Sequence, residues 1–258
     1  MVTIHINGKA VQAEDGEMLL TTIRRQGIDI PALCHHDAVE PCGSCRLCMV
    51  EITKKEWNGW SRHVTSCLYP VEAELIIATH TPYLQELRQT IIELYMARSP
   101  HSEVIQKMAG EYGITQTRFQ TVPDGDNCIM CYACTRICAE LGCFAISAAE
   151  RGHDKVISGP LREAPVDCVG CLSCAQICPT HFIEWTDDDT GRTIWERRFE
   201  LLACKKCGKK TITKDFAEYQ SRKRNLPMSY FDICDDCKRM ELSKTMGRIV
   251  VSAEEATQ

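Results

Sequence analysis

Sixteen of the eighteen cysteines in this 258-residue chain fall into four sets at metal-ligating spacings. Two of the sets are near copies: Cys128-x2-Cys131-x2-Cys134-x3-Cys138 and Cys168-x2-Cys171-x2-Cys174-x3-Cys178-Pro179. Such runs hold paired cubane iron–sulfur clusters, with the fourth cysteine of each run crossing to the other cluster. The reason is geometric. Cysteines separated by two residues on tight turns reach three corners of one cubane, and the fourth corner has to come from elsewhere. The expected ligand sets are therefore Cys128, Cys131, Cys134 and Cys178 for one [4Fe-4S] cluster, and Cys168, Cys171, Cys174 and Cys138 for the other. Two zinc sites or a disulfide mesh would not need this spacing.

The cysteine sets are well separated in sequence, at 34–67, 128–178 and 204–237, which argues for several small modules. Small modules bury little apolar surface, so bound metal contributes directly to their folding. Val2–Ile6, Asn7-Gly8 and Lys9–Ala13 read as a hairpin around a type I′ turn. A helix over Glu17–Gln26, stopped by Gly27, comes next. A cysteine-bearing loop and a closing strand near Glu74–Thr79 complete the layout of a β-grasp ferredoxin. In that loop Cys34-x10-Cys45-x2-Cys48-x18-Cys67 suits a [2Fe-2S] core, with two ligands on one turn and two from flanking segments. Cys42 leaves an alternative open, since it could replace Cys34. Cys34 is preferred because Cys42, only three residues before Cys45, would crowd the same edge of the core. Cys42 and Cys143 then read as small buried residues.

Beyond Pro82, Leu84, Leu87, Ile91 and Leu94 recur at helical spacing as a core-facing stripe, and a second helix over Ser102–Tyr112 stops at Gly113. This pair reads as a connector between cluster modules. Asp187–Gly191 reads as a solvated turn. At the C-terminal end, Cys204-x2-Cys207 and Cys234-x2-Cys237 form the double knuckle of a zinc ribbon. Structural zinc is the expected occupant, with a single rubredoxin-like iron or a further cluster as alternatives. The expected fold is α+β in four parts. These are a β-grasp [2Fe-2S] domain at 1–80, a helical connector at 81–120, a bacterial two-cluster [4Fe-4S] ferredoxin domain at 121–190, and a zinc-ribbon-like module with a tail at 191–258.

Gly43-Ser44-Cys45-Arg46-Leu47-Cys48-Met49-Val50-Glu51, after the hairpin and with Cys34 upstream, resembles one family. It is similar to the N-terminal iron–sulfur region of the large electron-entry subunit of respiratory complex I. The small diaphorase subunit of NAD-reducing hydrogenases and the electron-input arm of iron-only hydrogenases share the arrangement. The resemblance spans roughly residues 1–185. It implies an electron-transfer subunit placed between a flavin- and NAD(P)-handling subunit and a catalytic metalloenzyme subunit. The chain departs from that pattern in three ways. No cysteine lies between Cys67 and Cys128, so the family's His-x3-Cys-x2-Cys-x5-Cys cluster is expected to be absent, with His80 and His101 standing alone. Ala139 replaces the proline that follows the first run. Nothing after Cys178 could build a hydrogenase active site.

The chain has no Gly-x-Gly-x-x-Gly and no P-loop, so no flavin or nicotinamide site of its own is expected. No nucleophile–base pair stands out either, so substrate chemistry falls to a partner. Formal charge is −5 with thiols neutral, and it moves to about −13 once clusters and zinc are counted, which disfavours nucleic acid. Between Arg192 and Arg224, eleven basic residues face four acids, and this stretch reads as a docking face for an acidic partner subunit. No basic-then-apolar leader opens the sequence and no long apolar run crosses it, so a cytoplasmic protein is expected. The alternative function is a stand-alone polyferredoxin carrier.

Overall fold

The computed structural model describes residues 1–123 and 125–255. Strands β1 (Val2–Ile6) and β2 (Lys9–Ala13) form the expected hairpin. Asn7 and Gly8 both take left-handed angles (φ 50° and 82°), as a type I′ turn requires. Helix α1 (Leu19–Arg25) starts two residues later than expected, because Met18 stays extended and bridges to Pro70. With β3 (Met49–Thr53), β4 (Ser61–Thr65) and β5 (Ile76–Ala78), the sheet runs in the order β2-β1-β5-β3-β4. Only the β1–β5 pair is parallel. Alternate residues Ile4, Ile6, Val50, Ile52 and Ile77 pack on Leu19, Leu20 and Ile23 of α1, so period-2 and period-3.6 patterns share one core.

Helix α2 (Pro82–Arg98) begins at Thr81, whose Oγ1 accepts the Leu84 N–H at 3.2 Å, with Pro82 in the first turn. Its buried stripe is Leu84, Arg88, Ile92 and Met96, not the expected Leu84, Leu87, Ile91 and Leu94; Leu94 lies in solvent. The helix is rolled relative to the apolar pattern because an arginine occupies the inner face. Helix α3 (Glu103–Glu111) ends at Tyr112, and Gly113 turns the chain at φ 70°. Ile92, Met96, Ile105 and Ala109 of this pair pack against Cys34, Cys45 and Leu47 on one side and Ile129, Cys131 and Ala133 on the other.

The duplicated cysteine runs repeat in backbone as well as in sequence. Helices α4 (Ala133–Glu140) and α5 (Ser173–Ile177) each start just after the second cysteine of a run. Met130 and Tyr132 in the first run, and Gly170 and Leu172 in the second, take positive φ at matching positions. A short hairpin, β6 (Ser147–Ala149) with β7 (Val156–Ser158), lies between the runs. Strands β8 (Trp185–Asp188), β9 (Gly191–Ile194) and β10 (Arg197–Phe199) form a meander whose Ile194 and Phe199 join the core of Cys128, Cys134, Cys174 and Cys178. The expected module boundary between 190 and 191 thus falls inside a strand pair. Residues 191–199 pack with the paired runs because they supply the apolar cover over the second one. The Asp187–Gly191 turn is as expected: Asp188 Oδ1 accepts the N–H groups of Thr190 and Gly191 at 2.8 and 3.1 Å. The remainder comprises β11 (Leu201–Ala203), β12 (Lys210–Thr213), α6 (Lys214–Arg224) and α7 (Asp235–Glu255). The chain is a mixed α+β protein. Among the described residues, no helix is long and apolar enough to cross a membrane.

Candidate metal centres

The loop between α1 and β3, together with the turn after β4, brings Cys34, Cys45, Cys48 and Cys67 into the interior. They sit as two pairs. Cys48 and Cys67 have their sulfurs 3.4 Å apart, and the Cys45 N–H points at the Cys34 sulfur at 3.4 Å. Within each pair one thiol donates to the other, so one titrates low and its partner high. Cys45 is drawn down to about 7 by the Cys34 thiol, and Cys34 is pushed up by the same contact and by burial. Cys48 is lowered by the Cys67 thiol, and Cys67 is raised in return. Thiols arranged in two adjacent pairs suit a two-iron core, one pair per iron. Cys42 stands apart, half-buried, its sulfur 3.7 Å from the Cys131 carbonyl. The loop's carbonyls are tied down by side chains. Tyr95 Oη donates to Cys45 O at 3.2 Å, Ser66 Oγ to Cys48 O at 2.8 Å, and Arg88 to Leu47 O and Met49 O at 3.1 and 2.7 Å.

In the paired runs the thiols group across the two halves. Cys134, pushed up by burial, is raised further by Cys131, Cys128, Cys174 and Cys178. Burial pushes Cys174 up to about 12 against a hydrogen bond from Trp195, and Cys171, Cys168 and Cys138 raise it further. Cys138, Cys168, Cys171 and Cys174 line one small cavity together with Cys143 and Trp195. Two donors meet these sulfurs directly: Trp195 Nε1 reaches Cys174 at 3.4 Å and the Ala145 N–H reaches Cys138 at 3.2 Å. Arg136 on α4 spans the gap to the N-terminal loop. Its Nη2 donates to Cys34 O at 2.7 Å and Cys131 O at 3.5 Å, and its Nη1 to Glu40 O.

Cys204, Cys207, Cys234 and Cys237 converge so that all four sulfurs lie within 4.8 Å of one another. The Cys204–Cys237 and Cys207–Cys234 separations are 4.0 and 3.7 Å. Four tetrahedral thiolates bound to one ion at ~2.3 Å would sit about 3.8 Å apart, whereas a cubane holds its ligands farther out. Cys204 is lowered to about 6, chiefly by the Cys234 N–H that points at it.

About half of the cations in the basic stretch are ion-paired. Arg192 grips Asp187 through two bonds of 2.8 and 2.7 Å, and Arg198 pairs with Asp188. Lys205 meets Asp232, Lys206 meets Glu241, and Lys209 meets Asp236. Arg197 donates to the carbonyls of Pro165, Val166 and Cys168. The acids that pair with Arg192, Arg198, Lys205, Lys206 and Lys209 come from outside the segment whose charge was counted, whereas Arg197, Lys210 and Lys223 hydrogen-bond only to carbonyl oxygens and keep their charge.

Residues 1–82 match the family model of a 2Fe-2S iron-sulfur cluster binding domain. Beyond that domain the chain is similar to components of large oxidoreductases. A component of the NADH-quinone oxidoreductase of Rhizobium meliloti is 26% identical over 205 residues, covering 69% of this chain and 23% of that protein. The alpha chain of the NADPH-Fe(3+) oxidoreductase of Geobacter sulfurreducens is 29% identical over 204 residues, covering 70% and 24%. This chain therefore spans about a quarter of the length of these relatives. The solved structure of an NAD+-reducing [NiFe]-hydrogenase in its H2-reduced state shares the fold. The TM-score is 0.61 at 24% identity, over 70% of this chain and 86% of that one.

Proposed function

We propose that the chain is an iron–sulfur electron-transfer subunit of a multi-subunit oxidoreductase. It relays electrons between a flavin- and NAD(P)-handling subunit and a catalytic metalloenzyme subunit, such as a hydrogenase, a formate or aldehyde dehydrogenase, or a bifurcating reductase. The observation that carries this reading is the continuity of the cysteine sites. Cys34, Cys45 and Cys131 share one packed core, and Cys131 lies beside the Cys128, Cys134, Cys174 and Cys178 core. A relay needs carriers within one rigid body, and Arg136 with the α2–α3 pair supplies that rigidity.

In this proposal Cys34, Cys45, Cys48 and Cys67 hold a [2Fe-2S] cluster. Cys128, Cys131, Cys134 and Cys178 hold one [4Fe-4S] cluster, and Cys168, Cys171, Cys174 and Cys138 the other. The cross-run grouping of thiols supports the crossed sets, and the paired geometry of Cys34 with Cys45 supports Cys34 over Cys42. Cys204, Cys207, Cys234 and Cys237 hold a single zinc, a reading supported by the short sulfur–sulfur distances. The clusters, when bound, supply one-electron carriers. The protein's own part is to bury the thiols, direct N–H groups of Trp195, Ala145 and Cys45 at sulfur, and keep the sites in fixed array. The modules we assign are 1–80, 81–120, a two-cluster part extended from 121 to 199, and a zinc module beyond it. A cytoplasmic location accompanies this role.

Anaerobic purification from the native cell, with native mass and subunit identification, tests the proposal. Co-purification with a flavoprotein and a large metalloenzyme is the expected result. A lone, fully iron-loaded chain near 29.1 kDa would instead establish a free carrier.

A further inference from the structure

Arg88 on α2 is completely buried behind the N-terminal cysteine loop. Its Nε donates to Leu47 O at 3.1 Å, and its Nη2 to Met49 O at 2.7 Å and Thr79 O at 3.0 Å. Leu47 and Met49 flank Cys48, so the guanidinium grips the peptide groups on both sides of that thiol. Its Nη1 has no hydrogen-bond partner among the described residues, with the Tyr112 hydroxyl its polar neighbour. No carboxylate pairs with it among the described residues. The titratable groups that feel its charge are Cys48, Tyr112 and His80.

Carbonyls satisfy the N–H groups of a guanidinium but leave its net charge uncompensated, and an arginine does not shed its proton to escape. A buried charge without a counter-ion is strongly unfavourable, and an apolar residue of similar volume would serve packing better. The anion that balances the charge has to lie within a few ångströms, and the acidic groups that feel it are the Tyr112 phenol, which burial keeps protonated, and the Cys48 thiol, held between the two carbonyls that Arg88 grips. Arg136 and Arg46 also border this loop, but they are half-buried and exposed, so water screens them. Arg88 is not screened.

We propose that Arg88 is the buried counter-charge of the [2Fe-2S] site, raising the reduction potential of that centre and clamping α2 to its ligand loop. The proposal rests on the assignment of Cys34, Cys45, Cys48 and Cys67 made above. Adding one electron to an all-thiolate cluster increases its negative charge by one, and a cation held close in a medium of low dielectric favours the more negative form.

The test is a redox titration of the full-length, cluster-loaded chain, followed by electron paramagnetic resonance, for the wild type, Arg88→Gln and Arg88→Lys. Removing the charge in Arg88→Gln is expected to leave about tenfold less of the [2Fe-2S] centre reduced at a fixed ambient potential, about 59 mV for one electron. Arg88→Lys, which keeps the charge, is expected to stay near the wild type, and the two cubane potentials to hold still in both. An Arg88→Gln protein that loses only the [2Fe-2S] signal, with Arg88→Lys restoring it, supports the proposal equally. Equal potentials in all three proteins, or equal shifts or losses in Gln and Lys, overturn it, because a purely structural clamp would not distinguish charge. A wild type that lacks the [2Fe-2S] signal altogether overturns the ligand assignment, and the proposal with it.

Discussion

The first 80 residues and the last cysteine module both gather four thiols, but they do it in opposite ways. In the N-terminal domain the sheet and α1 close a core of Ile4, Ile6, Leu19, Leu20, Ile23, Val50, Ile52 and Ile77, which Cys48 and Cys67 join while Cys34 and Cys45 belong to the neighbouring core. Around the C-terminal thiols the buried cluster, among the described residues, consists of Cys204, Cys234 and Cys237 with Ile233 against them. One site is attached to a core; the other takes the place of a core. Where apolar burial already provides a folding free energy, losing the bound group costs function before fold. Where the ligands are the interior, metal binding and folding are one equilibrium.

The largest expected effect breaks the C-terminal half. Cys237→Ser should strip the ion and leave amides 204–237 unprotected in hydrogen exchange. Cys67→Ser should abolish the [2Fe-2S] signal while β1, β2 and β3 stay protected. A C-terminal module that keeps its protection without metal would show that it has a core of its own. Next in size, Ile52→Ala in β3, at a side chain with no solvent exposure, should cost about 2–5 kcal/mol in denaturant unfolding of the N-terminal domain. Ile233→Ala should cost far less than removing the ion, since the thiolate bonds carry the module.

Cys178→Ser extends the contrast to the paired runs, where each proposed site takes a ligand from the other run. It should damage the Cys128 cluster despite a separation of fifty residues, leaving the Cys168 cluster in place. Loss confined to the Cys168 cluster would show that the runs do not cross. A smaller change is expected from Trp195→Phe, which removes the indole N–H donor 3.4 Å from Cys174. The potential of that cubane should fall modestly while the other stays put, because hydrogen bonds to sulfur stabilise the reduced form. The smallest effect belongs to Cys42→Ala, which should leave the [2Fe-2S] spectrum as it was.

What could be read from the sequence was local. Asn7-Gly8 announces its turn, Pro82 opens α2, and the duplicated cysteine runs fold as the duplicate their spacing describes. Long-range facts stayed hidden. Arg88 escaped notice because charged residues are read as surface, and only the fold places this one behind Cys48. The positive stretch looked like an interface because its partners, Asp187, Asp188, Asp232, Asp236 and Glu241, lie outside it. Ile194 and Phe199 stand among charged residues in the sequence, and it is the β8–β9–β10 meander that turns them onto the second cysteine run. Charge pairing and module boundaries depend on which residues meet, and spacing along the chain does not carry that information.

Iron, sulfide and zinc analysis of the anaerobically purified chain tests most directly whether its four cysteine sets are four metal centres of three kinds. About ten irons, ten sulfides and one zinc per chain are expected. About fourteen irons without zinc would make the C-terminal module a fourth carrier and overturn the contrast between the two ends of the molecule.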